Sequence, residues 1–345
     1  MSIAVALVTG ACSTKVVTTG TSDAKTLTGA GATFPAPLYQ RWGDEYNKSA
    51  SVQINYQAIG SGGGVQQITA KTVDFGASDA PMKDSELAAA GGKILHIPTV
   101  FGAVVVTYNL SGAPDHLKMT PDVIAGIFLG DIKTWNDAAL KALNPGVTLP
   151  STKISVVHRS DGSGTTNIFT SYLTKANAKW SSKVGAGKEV EWKVGLGGKG
   201  NDGVSALVKQ TPGGVGYVEL AFAKKNSLPT ASVKNKSGKF VEPSLESITA
   251  AAASAVVPDD LRFSIVDAPG DASYPISGAT WLLVYQQQTD KAKGTTLVKF
   301  LWWAIHDGET FANPLFYATL PAALVTKAEI AIKSITFNGT ALYTG

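Results

Sequence analysis

At three places in this chain a strand-like run breaks at glycines interleaved with hydroxyl residues and then resumes with helical periodicity. The first reads Leu27-Thr28-Gly29-Ala30-Gly31-Ala32-Thr33-Phe34-Pro35. Pro35 and Pro37 suit a first helical turn, where no N–H is needed, and Leu38, Trp42 and Tyr46 follow at i, i+4 spacing. The second, Ile59-Gly60-Ser61-Gly62-Gly63-Gly64, lies between Val52-Gln53-Ile54-Asn55-Tyr56 and Val65-Gln66-Gln67-Ile68. The third, His158-Arg159-Ser160-Asp161-Gly162-Ser163-Gly164-Thr165-Thr166, follows Ile154 to Val157 and opens an amphipathic segment. Strands that hand over to helices through short turns call for an α/β fold. They also place helix N-termini, with free N–H groups and the positive end of the helix dipole, beside strand ends.

The third junction carries the most chemistry. With Ser163 or a neighbour as N-cap, the first-turn N–H groups point outward beside hydroxyls and the Arg159 guanidinium. Glycine allows close approach, and the helix end favours negative charge, so the segment suits a small oxyanion. Asp161 would repel an anion unless it pairs with Arg159 and holds the guanidinium fork in place. Alone, the segment reads equally well as a capped turn without a ligand, and a chain with 36 glycines forms such turns easily. Three of them, each with Ser or Thr beside glycine, read as helix ends converging on one ligand.

Four longer stretches extend this pattern. They are Thr28 to Pro37, Val73-Asp74-Phe75-Gly76-Ala77-Ser78-Asp79-Ala80-Pro81, Arg159 to Thr165, and Gly195-Leu196-Gly197-Gly198-Lys199-Gly200-Asn201-Asp202-Gly203. Together and in this order they resemble the periplasmic phosphate-binding proteins, the substrate-capturing subunits of bacterial phosphate-specific ABC transporters. The resemblance runs from about Leu27 into the C-terminal region. It implies that Thr33, Phe34, Ser61, Asp79, Arg159, Ser163, Gly164 and Thr165 contact phosphate, with Asp161 as the partner of Arg159. Gly62 departs from the serine often found there, without disturbing Ser61. The implied partners are inorganic phosphate and the transmembrane permease subunits of the transporter. The chain is expected to be a monomer in the periplasm or another extracytoplasmic space, without a cofactor or a metal.

Asp79 has a distinct chemical role under this resemblance. Near neutral pH phosphate retains a proton and sulfate has none. A buried carboxylate accepts a hydrogen bond from the first and meets the second with an unpaired, repelling charge. Such a mismatch costs roughly 1–3 kcal/mol or more, tenfold to over a hundredfold in affinity. Taken by itself, an Asp before Ala80-Pro81 is an ordinary turn residue.

The expected architecture is α/β, a two-lobe periplasmic binding protein of the Venus-flytrap, type II-like kind, with two hinge crossings. Strand-like runs are Gln53 to Gln57, Ile94 to Val106, Ile154 to Val157, Val215 to Glu219 and Trp281 to Tyr285; Pro121 to Phe128, Ala138 to Leu143 and Thr296 to Ile305 read as helices. The apolar run Val100 to Tyr108 suits a buried strand leaving one lobe, and Ile276 to Tyr285 suits the returning one. Lobe I is then 26–105 plus 278–345, lobe II is 106–277, and 1–25 is a leader and linker. This division puts Thr33, Ser61 and Asp79 on one lobe and Arg159 through Thr165 on the other, so a shared ligand favours closure.

Other functions find little support. The formal charge is +4, and the 30 basic residues form no run interleaved with aromatics, so no nucleic acid is expected. Gly195 to Gly200 matches a dinucleotide fingerprint with Glu219 downstream, but the preceding strand is meagre and Pro212-Gly213-Gly214 breaks the unit. Those glycines are better read as a loop near the cleft, with Asp202 as a helix cap. An enzyme acting on a phosphate ester would need a nucleophile with a base, or a metal. Ser163 lacks both, and His96, His116, His158 and His306 have no metal-ligand spacing. The single cysteine, Cys12, excludes an intramolecular disulfide. Ser2 to Thr9 followed by Gly10-Ala11-Cys12 reads as the tail of a lipoprotein signal, with Cys12 as the lipidated residue, or as an uncleaved leader. No run reaches the ~18 apolar residues of a membrane span.

Overall fold

Eight strands form one mixed sheet on which every site loop is mounted. The computed structural model describes residues 23–344; Cys12 and the leader around it lie outside them. In chain order the strands are β1 (Thr26–Gly31), β2 (Gln53–Ala58), β3 (Phe75–Ser78), β4 (Ile94–Asn109), β5 (Ser155–Arg159), β6 (Leu196–Gly198), β7 (Gly214–Glu219) and β8 (Ser277–Tyr285). Their order across the sheet is β2-β1-β3-β8-β4-β7-β5-β6. The outer strands on each side run parallel to their neighbours, whereas β8 and β4 pair antiparallel at the centre.

Strand β4 changes partner along its length. Ile94 to Ala103 pair with β8, and Val104 to Asn109 pair with β7. It is buried nearly throughout, as an uninterrupted apolar run in a central strand should be. The sheet thus has two halves that share β4. Each half carries helices after its strands, as βα units require.

The helices that matter here are α1 (Ala36–Ala50), α2 (Ser61–Thr69), α3 (Asp84–Ala89), α4 (Gly164–Ala176) and α5 (Gly200–Gln210). Leu38, Trp42 and Tyr46 form the buried face of α1, in line with their spacing. Trp42 stacks on Tyr39 and meets Trp303 edge-on, while its Nε1 donates to Gly308 O at 2.7 Å. A second aromatic group backs the other half: Phe169 of α4 stacks on Tyr217 of β7 at 4.3 Å, with Phe128, Trp180 and Trp192 around them. Each such side chain contributes about 1.5–3 kcal/mol on burial, so the loops at the strand ends are held by rigid supports.

Two local expectations need correction. The helix expected from Thr296 begins at Lys291, because Asp290 caps it by accepting from Lys293 N at 3.0 Å, and it ends at Ala304. Asp202 does not cap α5: Lys199 occupies that position, and Asp202 lies inside the first turn, where its charge suits the helix dipole. The other expected strands and helices occur, with ends displaced by a few residues.

Candidate anion-binding site

Four loops meet at the seam between the two halves of the sheet. Thr33 and Phe34 lie between β1 and α1, Ser61 opens α2, Asp79 follows β3, and Arg159 to Thr165 join β5 to α4. None of the six polar side chains among them (Thr33, Ser61, Asp79, Arg159, Ser163, Thr165) is more than 4% exposed. Burial of this kind strengthens each electrostatic interaction and makes an unmatched polar group costly.

Ser61 Oγ is the junction of three segments. It accepts from Gly164 N at 3.0 Å and from Asp79 N at 3.2 Å, and lies 3.4 Å from Asp79 Oδ2. Gly62 N donates to Gly162 O at 2.8 Å, which joins the second and third glycine loops directly. Gly60 stands at φ 92°, and a Cβ there would sit 2.3 Å from Asp161 Oδ2. A side chain at Gly164 would meet the Asp79 carboxylate and Ser61 Oγ at 2.6 Å. Glycine is required at both positions for the loops to approach this closely.

Arg159 is held as a flat fork. Nε donates to Asp161 Oδ1 at 2.8 Å and Nη2 to Oδ2 at 2.5 Å, a bidentate pair that leaves Nη1 directed at Thr165 Oγ1, 3.4 Å away. Asp161 Oδ1 also accepts from Gly200 N at 3.0 Å. Burial pushes the Asp161 carboxyl up, but Arg159 and the Gly200 N–H outweigh it and keep it below the usual carboxylate range. Ser163 is the N-cap: its Oγ accepts from Thr166 N at 3.0 Å, which occupies it as a helix cap.

Asp79 behaves oppositely. Burial pushes its carboxyl up to about 7, against the opposing pull of Thr280, Arg159 and Ser61. Thr280 Oγ1 donates to its Oδ1 at 2.8 Å. Thr33 Oγ1 accepts from the side-chain and backbone N–H groups of Asn201, at 2.8 and 3.2 Å. Phe34 contributes through its main chain and its place in the wall. Its ring packs where a Cβ on Gly102 would fall, and its carbonyl accepts from Tyr317 OH at 2.7 Å. The Lys188–Glu86 ion pair closes one rim, tying α3 to the segment after α4, where Lys188 O accepts from Ser163 N at 2.9 Å.

The structure gathers the eight residues expected to contact phosphate, with Asp161, around one largely buried cluster. It adds Thr280, Asn201, Glu219 and Tyr317. Asn201 stood inside a quoted motif, but its hydroxyl partners on other segments were not legible. Glu219 caps Ala221 N at 2.7 Å and is fully buried, a placement with no access for a dinucleotide ribose. Among the described residues no group of three or more His, Cys, Asp or Glu is placed to hold a metal ion, and no helix is long and apolar enough to cross a membrane.

Comparison with known proteins gives a consistent result. Residues 16–307 match the family model of the PBP superfamily domain. The chain is 45% identical over 306 residues to the phosphate-binding protein PstS of Xylella fastidiosa strain 9a5c, covering 88% of this chain and 84% of that protein. It is 44% identical over 317 residues to PstS of Pasteurella multocida, covering 91% and 92%. Among solved structures, a high affinity periplasmic phosphate-binding protein with bound phosphate superimposes with TM-score 0.74 at 23% identity, over 92% of this chain and 96% of that one. The phosphate-binding protein from Stenotrophomonas maltophilia gives 0.72 at 22% identity, over 88% and 93%. These two structures share the fold, an α/β architecture of two lobes. On the sequence matches, this chain belongs to the phosphate-binding protein PstS family of the PBP superfamily.

Proposed function

We propose that this protein binds inorganic phosphate between its two lobes and delivers it to the transmembrane permease subunits of a phosphate ABC transporter. It is a binding protein and not an enzyme. The observation that carries the reading is the meeting of Ser61, Asp79 and Gly164 N within 3.4 Å, beside a guanidinium fixed by Asp161. In this reading Arg159 and the first-turn N–H groups of α4 take the anionic oxygens, joined by the hydroxyls of Thr33, Ser61, Ser163 and Thr165 and the main chain of Phe34. Asp79 accepts from the protonated oxygen.

The lobes are 26–105 with 278–345, and 106–277, hinged where β4 changes partner at Ala103 and Val104. Ligand contacts from both lobes favour the closed arrangement, because only there are they made together. The protein acts as a monomer in an extracytoplasmic compartment, anchored there by lipid on Cys12. Gel filtration, and labelling with a fatty acid in wild type against Cys12→Ser, test these last two points.

Isothermal calorimetry with phosphate and with sulfate tests the main proposal. Saturable phosphate binding at one site per chain, with sulfate at least tenfold weaker, is expected. Equal affinity for both, or hydrolysis of a chromogenic phosphate ester that Arg159→Ala abolishes, would overturn it.

A further inference from the structure

Asn201 is the second residue of α5, fully buried, and it contacts both sides of the seam. Its Nδ2 donates to Thr33 Oγ1 at 2.8 Å and to Thr165 Oγ1 at 3.1 Å. Its Oδ1 accepts from Glu219 N at 2.9 Å. That last bond fixes the amide orientation: the backbone N–H of Glu219 requires an oxygen, so the NH2 group must face the two threonines.

The consequence lies in the hydroxyls. A hydroxyl has two acceptor positions and one proton. Thr33 Oγ1 accepts from Asn201 Nδ2 and again from Asn201 N at 3.2 Å. Thr165 Oγ1 accepts from Asn201 Nδ2 and from Arg159 Nη1 at 3.4 Å. Both hydroxyls are saturated as acceptors, both are buried, and each keeps one proton to give. We infer that Asn201 is a positioning residue that fixes Thr33 and Thr165 as obligate donors toward the bound oxyanion, and thereby selects the protonation state of phosphate the site accepts. This inference rests on the phosphate reading above.

With both threonines committed as donors, the side-chain acceptors left to a protonated oxygen are Asp79 and the second acceptor position of Ser163 Oγ, whose first is taken by Thr166 N. A second protonated oxygen seated against Thr33 and Thr165 would face donors alone, at the cost of an unmade buried hydrogen bond. Affinity should therefore fall as the medium is acidified. If the Asn201 amide is removed, the hydroxyls can rotate and accept, so the acid form is tolerated better. The charged groups around this point are Arg159 and Asp161 from the β5–α4 loop, Asp79 after β3, Glu219 at the end of β7, and Lys199 and Asp202 flanking Asn201. All are retained in the variants below, so the comparison isolates the amide.

The experiment measures phosphate affinity by calorimetry on the acid and alkaline sides of neutrality, for wild type, Asn201→Ala and the isosteric Asn201→Asp, with melting curves as a check on folding. Asn201→Ala should lose about tenfold in affinity on the alkaline side, and that gap should narrow by most of its size on the acid side. Asn201→Asp puts an acceptor oxygen in place of Nδ2, which draws the protons of both hydroxyls away from the ligand, so it should lose more than Asn201→Ala when alkaline. Should Asn201→Ala not fold, Asn201→Asp carries the test. Parallel pH profiles for wild type and Asn201→Ala, or Asn201→Asp binding as wild type does, would overturn the inference. Absence of phosphate binding by the wild type would instead overturn the functional reading on which it rests.

Discussion

The guanidinium of Arg159 and the carboxylate of Asp161, two residues apart, lie fork to fork with contacts of 2.8 and 2.5 Å. The pair neutralises the acid that would otherwise face an incoming anion and presents the remaining guanidinium edge in a fixed plane. Arg159→Ala should weaken phosphate binding by at least ~2 kcal/mol, about thirtyfold, because a charged donor is lost and Asp161 keeps a desolvated charge with no cation. Asp161→Asn should weaken it less, since the guanidinium stays. Calorimetry showing undiminished affinity for Arg159→Ala would refute the assignment.

Asp79→Asn should relax discrimination against sulfate more than it weakens phosphate binding. An amide can donate as well as accept, so it meets a fully deprotonated oxygen without repulsion. Competition titrations with the two anions read this directly. Equal rejection of sulfate by wild type and variant would remove Asp79 from the role of proton sensor.

Glu219 offers a stability test at a residue that touches no proposed ligand. It is fully buried, its Oε1 has no hydrogen-bond partner among the described residues, and burial raises its carboxyl well above the usual range. A carboxyl raised in the folded state favours folding while protonated. That contribution is complete below its unfolded pKa, near 4.3, and is lost as pH rises toward the folded value. Glu219→Gln, which keeps a neutral group, should therefore raise the melting temperature increasingly as pH goes from acid to alkaline. A difference that shrinks with rising pH would contradict the account.

Gly164→Ala separates binding from folding. The added Cβ would lie 2.6 Å from the Asp79 carboxylate and from Ser61 Oγ, so the two loops could no longer meet as they do. Affinity should fall by about 1–3 kcal/mol, while the helix preference of Ala over Gly, roughly 1 kcal/mol, limits any loss of stability. Paired calorimetry and melting curves check it; full affinity in the variant would mean that the loops need not approach so closely.

The site was legible in sequence where its chemistry is packed into short motifs, and illegible where the chain returns from far away. Ser61, Arg159, Ser163 and Thr165 sit in glycine-rich turns at strand-to-helix junctions, whose local pattern announces exposed N–H groups. Thr280 lies 201 residues from Asp79, and it reaches the carboxylate because Trp281 pairs with Ser78 across β8 and β3. That pairing is a property of strand order, which no local pattern encodes. Asn201 is inconspicuous in sequence for a related reason. Its two hydroxyl partners lie 168 and 36 residues away, and an amide beside Asp202 attracts less notice than the charge. The start of the helix at Lys291 is hidden in sequence because Lys, Ala and Gly carry no apolar period, although Asp290 marks the cap.

The 2.8 Å contact between Gly62 N and Gly162 O has no side chain on either side. A substitution can lengthen, shorten or recharge a side chain, but it has no comparable adjustment for bare backbone. The rim differs in this respect, because its Lys188–Glu86 tie is made by two partly exposed side chains whose length and charge a substitution can change. A change of side chain elsewhere therefore leaves this main-chain tie between the two glycine loops in place.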